Sequence, residues 1–300
     1  MKKQPNHKQE KNNMSLTGLH ITDYETDLKV LVTSEEGTKT QVHTDGVGVP
    51  TIGAGYALTI RKNWIADFVT AGIMPTAAQQ TALQALINRT NEIFIDTKDP
   101  KEREAQVKAK VDAYNASTNA ITLSSTQVGE LFLVVKGAYE TIVKSKLGST
   151  LYNSLANTKE LASLVDLAYN GGSDMIGNKL VNALKNNNRA EAWYEIRYNS
   201  NAGNSYQTVG TGMAERRVAE SNLFDLYLTD ANENYYKQVM QMYTQHKDTI
   251  YAVEHNTFTP SGNNNPIKSA YENDGLIDTK LAPAKEYLVE NYAQDKTIDG

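Results

Sequence analysis

Apolar residues recur at helical spacing through most of the chain, which predicts a mainly helical protein. In residues 22–35 three apolar positions share one helical face, and Thr22 or Asp23 is placed to cap the first turn. Gly37 follows, and because glycine commonly supplies the left-handed residue that ends a helix, Glu36 is predicted to lie in the last turn. The three apolar positions are Leu28, Leu31 and Val32.

A β-hairpin is predicted directly after this helix. Residues 39–44 form a short β-type segment, and Asp45 followed by Gly46 is typical of a turn. The chain then returns through residues 49–52 as a second strand. Together with the helical pattern elsewhere, this hairpin predicts the α+β fold class, with α-helix predominant.

Residues 57–120 are predicted to form three consecutive helices. The first covers residues 64–69, the second runs from the cap Thr76 to residue 95, and the third covers the highly charged residues 101–114. Their apolar positions are Trp64, Ile65, Phe68 and Val69 in the first, Leu83, Leu86, Ile87 and Phe94 in the second, and Val107 and Val111 in the third.

Two later stretches are patterned as core helices. Residues 121–138 begin with a Thr/Ser-rich segment that can cap a helix and continue as a stripe of apolar residues at helical spacing. Residues 161–169 form a dense apolar run that is longer than an edge strand and typical of a buried helix, and the run ends in Asn170 beside two glycines. Residues 178–193 predict two further helices, and residues 199–212, rich in Asn, Gly, Ser and Thr, predict a loop.

The charge of the chain is unevenly distributed. Residues 225–300 carry a net charge of −6 and the remainder a net charge of +1. Before this boundary a helix is predicted over residues 214–224, where Arg216 and Arg217 are flanked by glutamates and are expected to form ion pairs along the helix. Two helices are predicted over residues 233–255 and 280–292. The near-neutral first part gives no sign of nucleic-acid binding.

The composition of the chain limits the classes of protein to which it can belong. Three hundred residues with 40% apolar content can bury the core of one large domain or two modest ones. The chain has no cysteine, which excludes disulfides and thiolate metal sites, and no apolar run approaches the ~18 residues that a membrane span needs. Residues 1–21 are polar and lysine-rich without the apolar segment of a signal peptide, so we expect a flexible arm.

Three polar residues around the predicted hairpin suggest chemistry. Glu36 lies at the helix end, Asp45 follows nine residues later, and Thr51 comes six residues beyond that. A helix that leads directly into a hairpin can bring these three side chains to one cleft. Because protonated carboxyls are favoured near the negative end of a helix dipole, Glu36 is suited to act as a general acid.

The same residues resemble the active-site signature of the phage-type lysozymes, glycoside hydrolase family 24. The resemblance is carried by Glu36-Gly37, Asp45 and the run Thr51-Ile52-Gly53-x-Gly55. It extends over about residues 23–224, with an enlarged helical insertion at 57–120. It implies a two-lobed lysozyme fold over residues 22–226, in which a long helix joins a small β-hairpin lobe to a helical lobe, and it leaves residues 227–300 as a helical C-terminal extension of unknown role.

The resemblance also implies an activity. A lysozyme of this family cleaves the β-1,4 bond between N-acetylmuramic acid and N-acetylglucosamine in peptidoglycan, by attack of water with inversion. Glu36 would donate the proton, Asp45 would stay ionised and orient the water, and Thr51 would hold that water in line. No cofactor or metal is implied, and the five histidines are scattered along the chain.

Three further residues are assigned to substrate binding. Asn170 is a candidate for a hydrogen bond to the saccharide, with a helix C-cap as an equally weighted alternative. Gly55 and Tyr56 complete the set. The family often has His at the position of Tyr56, within a structural ion pair, so the departure is expected to alter stability rather than catalysis.

The sequence is also compatible with two other classes of function. A lytic transglycosylase needs a single acid/base carboxylate and releases 1,6-anhydro products, whereas a non-catalytic lysozyme-fold module would bind the wall or a structural protein. The expected partner is the peptidoglycan glycan strand; an immunity or delivery partner is not identified by any motif. With no signal peptide in view, we expect synthesis in the cytoplasm of a bacterial host and action on the wall after release or delivery.

Overall fold

The protein is described by a computed structural model that covers residues 23–45, 48–201, 210–228, 231–259 and 264–292. Over these ranges it is mostly helical, with thirteen α-helices and one three-stranded antiparallel sheet near the start. The predicted predominance of α-helix with a small β element is therefore confirmed. The predicted N-terminal arm, residues 1–21, lies outside the described residues.

The secondary structure follows the predicted order closely. The strands are β1 Lys39–Thr44, β2 Pro50–Gly53 and β3 Tyr56–Ala57. The helices are α1 Tyr24–Glu36, α2 Trp64–Thr70, α3 Ala77–Asp96, α4 Pro100–Asn115, α5 Ser125–Leu147, α6 Ser149–Ser154, α7 Lys159–Gly171, α8 Asn178–Lys185, α9 Arg189–Tyr194, α10 Thr211–Phe224, α11 Glu233–Glu254, α12 Lys268–Asp274 and α13 Ile277–Tyr292. A 3-10 turn, Gly172–Met175, and a π-helical turn, Glu195–Asn199, follow α7 and α9.

Helix α1 begins and ends where its sequence indicates. The Asp23 side chain accepts a hydrogen bond from the Thr26 backbone N–H at 3.1 Å, so Asp23 is the cap; Thr22 lies outside the described residues. All three predicted apolar positions are buried. Gly37 has φ +73°, a conformation that favours glycine, and it ends the helix immediately after Glu36.

The sheet contains one more strand than the predicted hairpin. β1 pairs with β2 in antiparallel register, with His43 opposite Thr51, and β2 pairs with β3, with Ile52 opposite Tyr56. The predicted hairpin is confirmed, although Gly46 of its turn lies outside the described residues. The added strand β3 is only two residues long, too short to produce a recognisable alternation in the sequence.

The three helices predicted for residues 57–120 all form, but two apolar residues of α2 are not buried. Thr76 caps α3 through a reciprocal capping box with Gln79. The predicted amphipathic helix α2 forms, with Trp64 and Phe68 buried, whereas its other two apolar positions, Ile65 and Val69, are exposed.

Helix α4 packs directly on the hairpin. The side-chain amide of Asn115 donates to the carbonyl oxygen of Val42 in β1, with an N–O distance of 2.7 Å. At the other end of the hairpin, a Cβ added to Gly48 would lie 3.1 Å from the Cα atom of Glu104. Part of the predicted insertion thus supports the strands that follow Glu36.

The chain divides into two compact units. Residues 21–144 and 162–172 form one, which we call the sheet unit, and residues 145–161 and 173–300 belong to the other, the helical unit. This division differs from the predicted boundary at residue 226, because residues 173–226 group with the C-terminal helices. Every residue assigned to the candidate site, from Glu36 to Asn170, belongs to the sheet unit.

The C-terminal helices are joined to the rest of the helical unit by buried polar contacts. Tyr198 donates to Glu254 of α11 at 2.8 Å, and Glu254 in turn accepts from the backbone N–H of Ile277 at 2.9 Å. Arg197, fully buried, pairs with Asp274 at 2.8 Å. Helices α11, α12 and α13 therefore share a common core with the π-helical turn that carries Arg197 and Tyr198.

The predicted ion pairs of α10 are confirmed for one of the two glutamates. Glu220 pairs with Arg217 at 2.5 Å and with Arg216 at 3.5 Å, and all three side chains are buried. Glu215, in contrast, is exposed.

Candidate active site

The last residue of α1 lies against the turn between β2 and β3. A Cβ added to Gly55 would lie 3.4 Å from Oε2 of Glu36 and 3.2 Å from the hydroxyl oxygen of Tyr169. Gly55 also has φ +89°, which L side chains rarely adopt. The glycine thus allows the backbone to approach the half-buried Glu36 carboxylate closely, and it brings two of the predicted site residues together.

Tyr169 holds this turn in place from α7. Its hydroxyl donates a hydrogen bond to the carbonyl oxygen of Ala54. Its ring makes edge-to-face contacts with Phe132 and Tyr139 of α5, at centroid distances of 5.0 and 4.7 Å. Tyr169 was not among the predicted site residues, and its only signal in the sequence was its place beside Asn170 at the end of an apolar run.

Asp45 is held by the turn that follows β1. Its Oδ1 accepts a hydrogen bond from the backbone N–H of Val49 at 2.7 Å. Its backbone N–H donates to the Val49 carbonyl oxygen at 3.0 Å, and its carbonyl oxygen accepts from Gly48 at 3.1 Å. The hairpin therefore determines where this half-buried carboxylate lies.

Thr51 contacts His43, which was not among the predicted site residues. Its hydroxyl oxygen lies 2.9 Å from Nε2 of His43, the residue opposite it in the β1–β2 ladder. The Thr51 side chain is only 5% exposed. Cross-strand register was the signal that could have found His43, because residues at equal distances from a hairpin turn face each other.

Burial and nearby charges both act on the pKa of His43. Burial lowers the pKa of the imidazole below its ordinary 6.5, while the negative charges of Asp45 and Glu36 act in the opposite direction. Within the sheet unit, strand pairing thus joins His43 to Thr51, the turn after β1 holds Asp45, and Glu36 lies against the β2–β3 turn at Gly55.

Tyr56 is placed for packing rather than for contact with a substrate. The side chain is 3% exposed and its hydroxyl donates to Oδ2 of Asp67 in α2 at 2.5 Å. Burial and this hydrogen bond raise the pKa of Tyr56. The ring contacts Phe68 edge-to-face at 5.7 Å, so the geometry favours a link between β3 and α2.

Asn170 is half-buried in the last turn of α7. The helix continues through Gly171, and the left-handed residue that follows is Gly172, with φ +74°. Asn170 thus lies inside the helix rather than at its left-handed end, next to Tyr169 on the chain.

Two negative findings apply to the described part of the chain. No group of three or more His, Asp or Glu side chains there could hold a metal ion. Nor is any helix within those ranges sufficiently long and apolar to cross a membrane.

Comparisons of the chain with protein-family models, with curated proteins and with solved structures found no match. The function is therefore inferred from the residues of the site and their geometry.

Proposed function

We propose that this protein is a muramidase that hydrolyses the β-1,4 bond between N-acetylmuramic acid and N-acetylglucosamine in peptidoglycan. The observation that carries the proposal is the packing of the Thr51–Gly55 segment beside Glu36, with Gly55 against the carboxylate. This packing gives a spatial reason for one part of the signature that resembles phage-type lysozymes, because a side chain at position 55 would crowd the Glu36 carboxylate.

Glu36 acts as the general acid in this proposal. Its carboxyl group donates a proton to the glycosidic oxygen as the bond to the anomeric carbon of N-acetylmuramic acid breaks. Gly55 allows this carboxyl to lie against the β2–β3 turn, and the Tyr169 hydroxyl, which also lies beside Gly55, donates to the Ala54 carbonyl oxygen of that turn. The position of the acid is therefore set by backbone and aromatic packing.

Asp45 and Thr51 handle the attacking water. Asp45, ionised and held by the Val49 N–H, accepts a hydrogen bond from the water and takes its proton as the new C–O bond forms. Thr51 is too deeply buried to pack along a sugar ring, but a hydroxyl at that depth can hold one water molecule. This division of roles fits attack by water with inversion.

The substrate class follows from the same assignment. The partner is the glycan strand of bacterial peptidoglycan, and Asn170 beside Tyr169 is the candidate for a hydrogen bond to its hydroxyl or N-acetyl groups. The protein would be made inside a bacterial cell and would act on the wall after release or delivery.

Identification of the digestion products tests the proposal. Purified peptidoglycan is incubated with the protein, and the soluble fragments are resolved by mass spectrometry. We expect muropeptides with reducing N-acetylmuramic acid ends. Fragments with 1,6-anhydro ends would instead identify a lytic transglycosylase, and the absence of fragments from a folded protein would identify a binding module.

A further inference from the structure

The contact between His43 and Thr51 adds a residue to the site. The two side chains face each other across neighbouring strands, and the distance from Nε2 to the threonine oxygen is 2.9 Å. The competing acceptor for the Thr51 hydroxyl is the carbonyl oxygen of His43, at a longer 3.5 Å. The imidazole is therefore the nearer partner of this buried hydroxyl.

A threonine hydroxyl needs such a partner if it is to orient a water molecule. The O–H bond rotates freely, and the oxygen has one hydrogen to donate and two lone pairs to accept with. A partner held by strand pairing restricts that rotation and leaves a defined direction open for the water. His43 is held in this way, because it pairs directly with Thr51, and the next residue, Thr44, pairs with Pro50.

The position of His43 relative to the carboxylates makes this contact relevant to catalysis. Thr51, its partner, lies on β2 between the turn that holds Asp45, the proposed base, and the turn that packs against Glu36, the proposed acid. The hydroxyl that His43 contacts therefore lies on the strand that connects the positions of the two carboxylates.

We propose that His43 is a positioning residue, which orients the Thr51 hydroxyl toward the attacking water. This inference rests on the proposed muramidase function and adds a residue to that site. His43 does not exchange a proton with the substrate; it acts through Thr51 alone. The imidazole ring and its strand pairing perform this role with either neutral tautomer, because Nε2 can donate to or accept from the hydroxyl.

A set of four variants tests the inference in the full-length protein. His43→Phe keeps an aromatic ring but removes the polar contact, and His43→Gln places an amide group near the position of Nε2. Thr51→Val removes the hydroxyl, and the double variant His43→Phe/Thr51→Val closes the cycle. For each, kcat and KM are measured on soluble glycan fragments, and the unfolding midpoint verifies that the variant is folded.

We expect His43→Phe to lower kcat about 10-fold to 100-fold with little change in KM, because a misdirected water affects the transition state more than binding. His43→Gln should restore kcat to within roughly threefold of wild type, since an amide can hydrogen-bond to a hydroxyl. The double variant should be no slower than Thr51→Val, because His43 acts only through the removed hydroxyl.

Two results would overturn the inference while leaving the muramidase intact. One is a His43→Phe variant with the wild-type kcat. The other is a double variant whose losses multiply, which would show that His43 acts independently of Thr51. If the wild-type protein releases no fragments, the proposed function itself fails. In that case the ¹⁵N shifts of the His43 ring, compared between wild type and Thr51→Val, report whether the contact forms, and unchanged shifts would contradict it.

Discussion

At the scale of single residues, the close approach of Gly55 to Glu36 makes glycine necessary at this turn. Gly55→Ala adds a Cβ atom within 3.5 Å of both the Glu36 carboxylate and the Tyr169 hydroxyl. Because this displaces the acid, we expect kcat to fall about 10-fold to 100-fold. The measurement is kcat together with the free energy of unfolding.

Gly72→Ala is the matched control for this variant. Gly72 also has a positive φ, +72°, but an added Cβ would meet no atom within 4 Å. It should lose about 1–2 kcal/mol of stability from backbone strain and keep its activity. Equal activity losses in the two variants would contradict a specific contact between Gly55 and Glu36.

For a substitution at Tyr56 we expect stability to fall while activity is kept, in contrast to Gly55→Ala. Tyr56→Phe removes the hydrogen bond to Asp67 but keeps the buried ring, so the protein should lose about 1 kcal/mol of stability. Turnover should stay within roughly threefold of wild type, since the hydroxyl faces α2 rather than the carboxylates. Denaturant unfolding and the initial rate of glycan cleavage measure the two quantities. A collapse of activity with unchanged stability would restore Tyr56 to the substrate site.

The site residues differ in how far the sequence could predict them. Glu36, Asp45 and Thr51 are close along the chain, so their spacing alone suggested one site. His43 was missed because its relation to Thr51 exists only across the strands. Tyr169 was missed because it comes from a helix more than a hundred residues away, and nothing in the local pattern links it to the Gly55 turn.

At the scale of secondary-structure elements, α4 supports the hairpin that carries Asp45. Asn115→Ala removes the hydrogen bond to the Val42 carbonyl, and we expect a loss of about 1–2 kcal/mol because that acceptor is left without this partner. Hydrogen exchange should become faster at the amides of β1 in particular. This is measured by exchange mass spectrometry under native conditions.

Lys108→Ala provides the control on the same helix. Lys108 pairs with Asp112 on the exposed face of α4, where both side chains are about 60% accessible. An exposed pair of this kind contributes less than about 1 kcal/mol, so exchange in β1 should be unchanged. If both variants, or neither, loosen the hairpin, α4 does not support it through Asn115.

The elements themselves were predictable where local chemistry decides them. Asp23 and Thr76 cap their helices as the pattern indicates, since an N-cap depends on the next three residues only. The exposed faces of Ile65 and Val69 were not predictable, because burial depends on which neighbours cover a helix. Strand β3 exists only through pairing with β2, which two residues of sequence cannot reveal.

At the scale of the whole molecule, the C-terminal helices belong to the core of the helical unit. Asp274→Ala leaves the buried Arg197 without its carboxylate partner, and we expect a loss of about 3 kcal/mol in the free energy of unfolding. Burial alone would raise the pKa of Asp274, but the hydrogen bond from Lys280 and the nearby Arg197 guanidinium bring it below its ordinary 3.8.

The pH dependence of this variant follows from the lowered pKa. The unfolded chain takes up the Asp274 proton at a higher pH than the folded chain does, so the stabilisation is complete above pH 3.8. It decreases as pH falls through the folded-state value. The difference between wild type and Asp274→Ala should therefore shrink in acid, as measured by urea unfolding between pH 6 and pH 3.

Asp278→Ala is the control for Asp274→Ala. Asp278 pairs with Lys285 on the surface, with 76% of its side chain exposed. It should change stability by less than about 0.5 kcal/mol at any of these pH values. An equally small effect of Asp274→Ala would show that the C-terminal helices are not bound to the core through Arg197.

The grouping of residues 173–292 was not predictable from the sequence. The resemblance ended near Phe224 and left the following residues as a helical extension of unknown role. The contacts that join them to the core, such as Tyr198 with Glu254, connect residues 56 positions apart. Such contacts leave no periodic signal, because each is a single polar pair in an otherwise helical pattern.

The most direct test of the muramidase function is a comparison of Glu36→Gln with Glu35→Gln on purified peptidoglycan. Glutamine keeps the shape of Glu36 but cannot donate the proton, so release of reducing muropeptides should fall at least about 100-fold. Glu35→Gln makes the same change one position earlier on α1 and should release the wild-type amount. Undiminished release by a folded Glu36→Gln variant would contradict the assignment of Glu36 as the acid and, with it, the proposed mechanism.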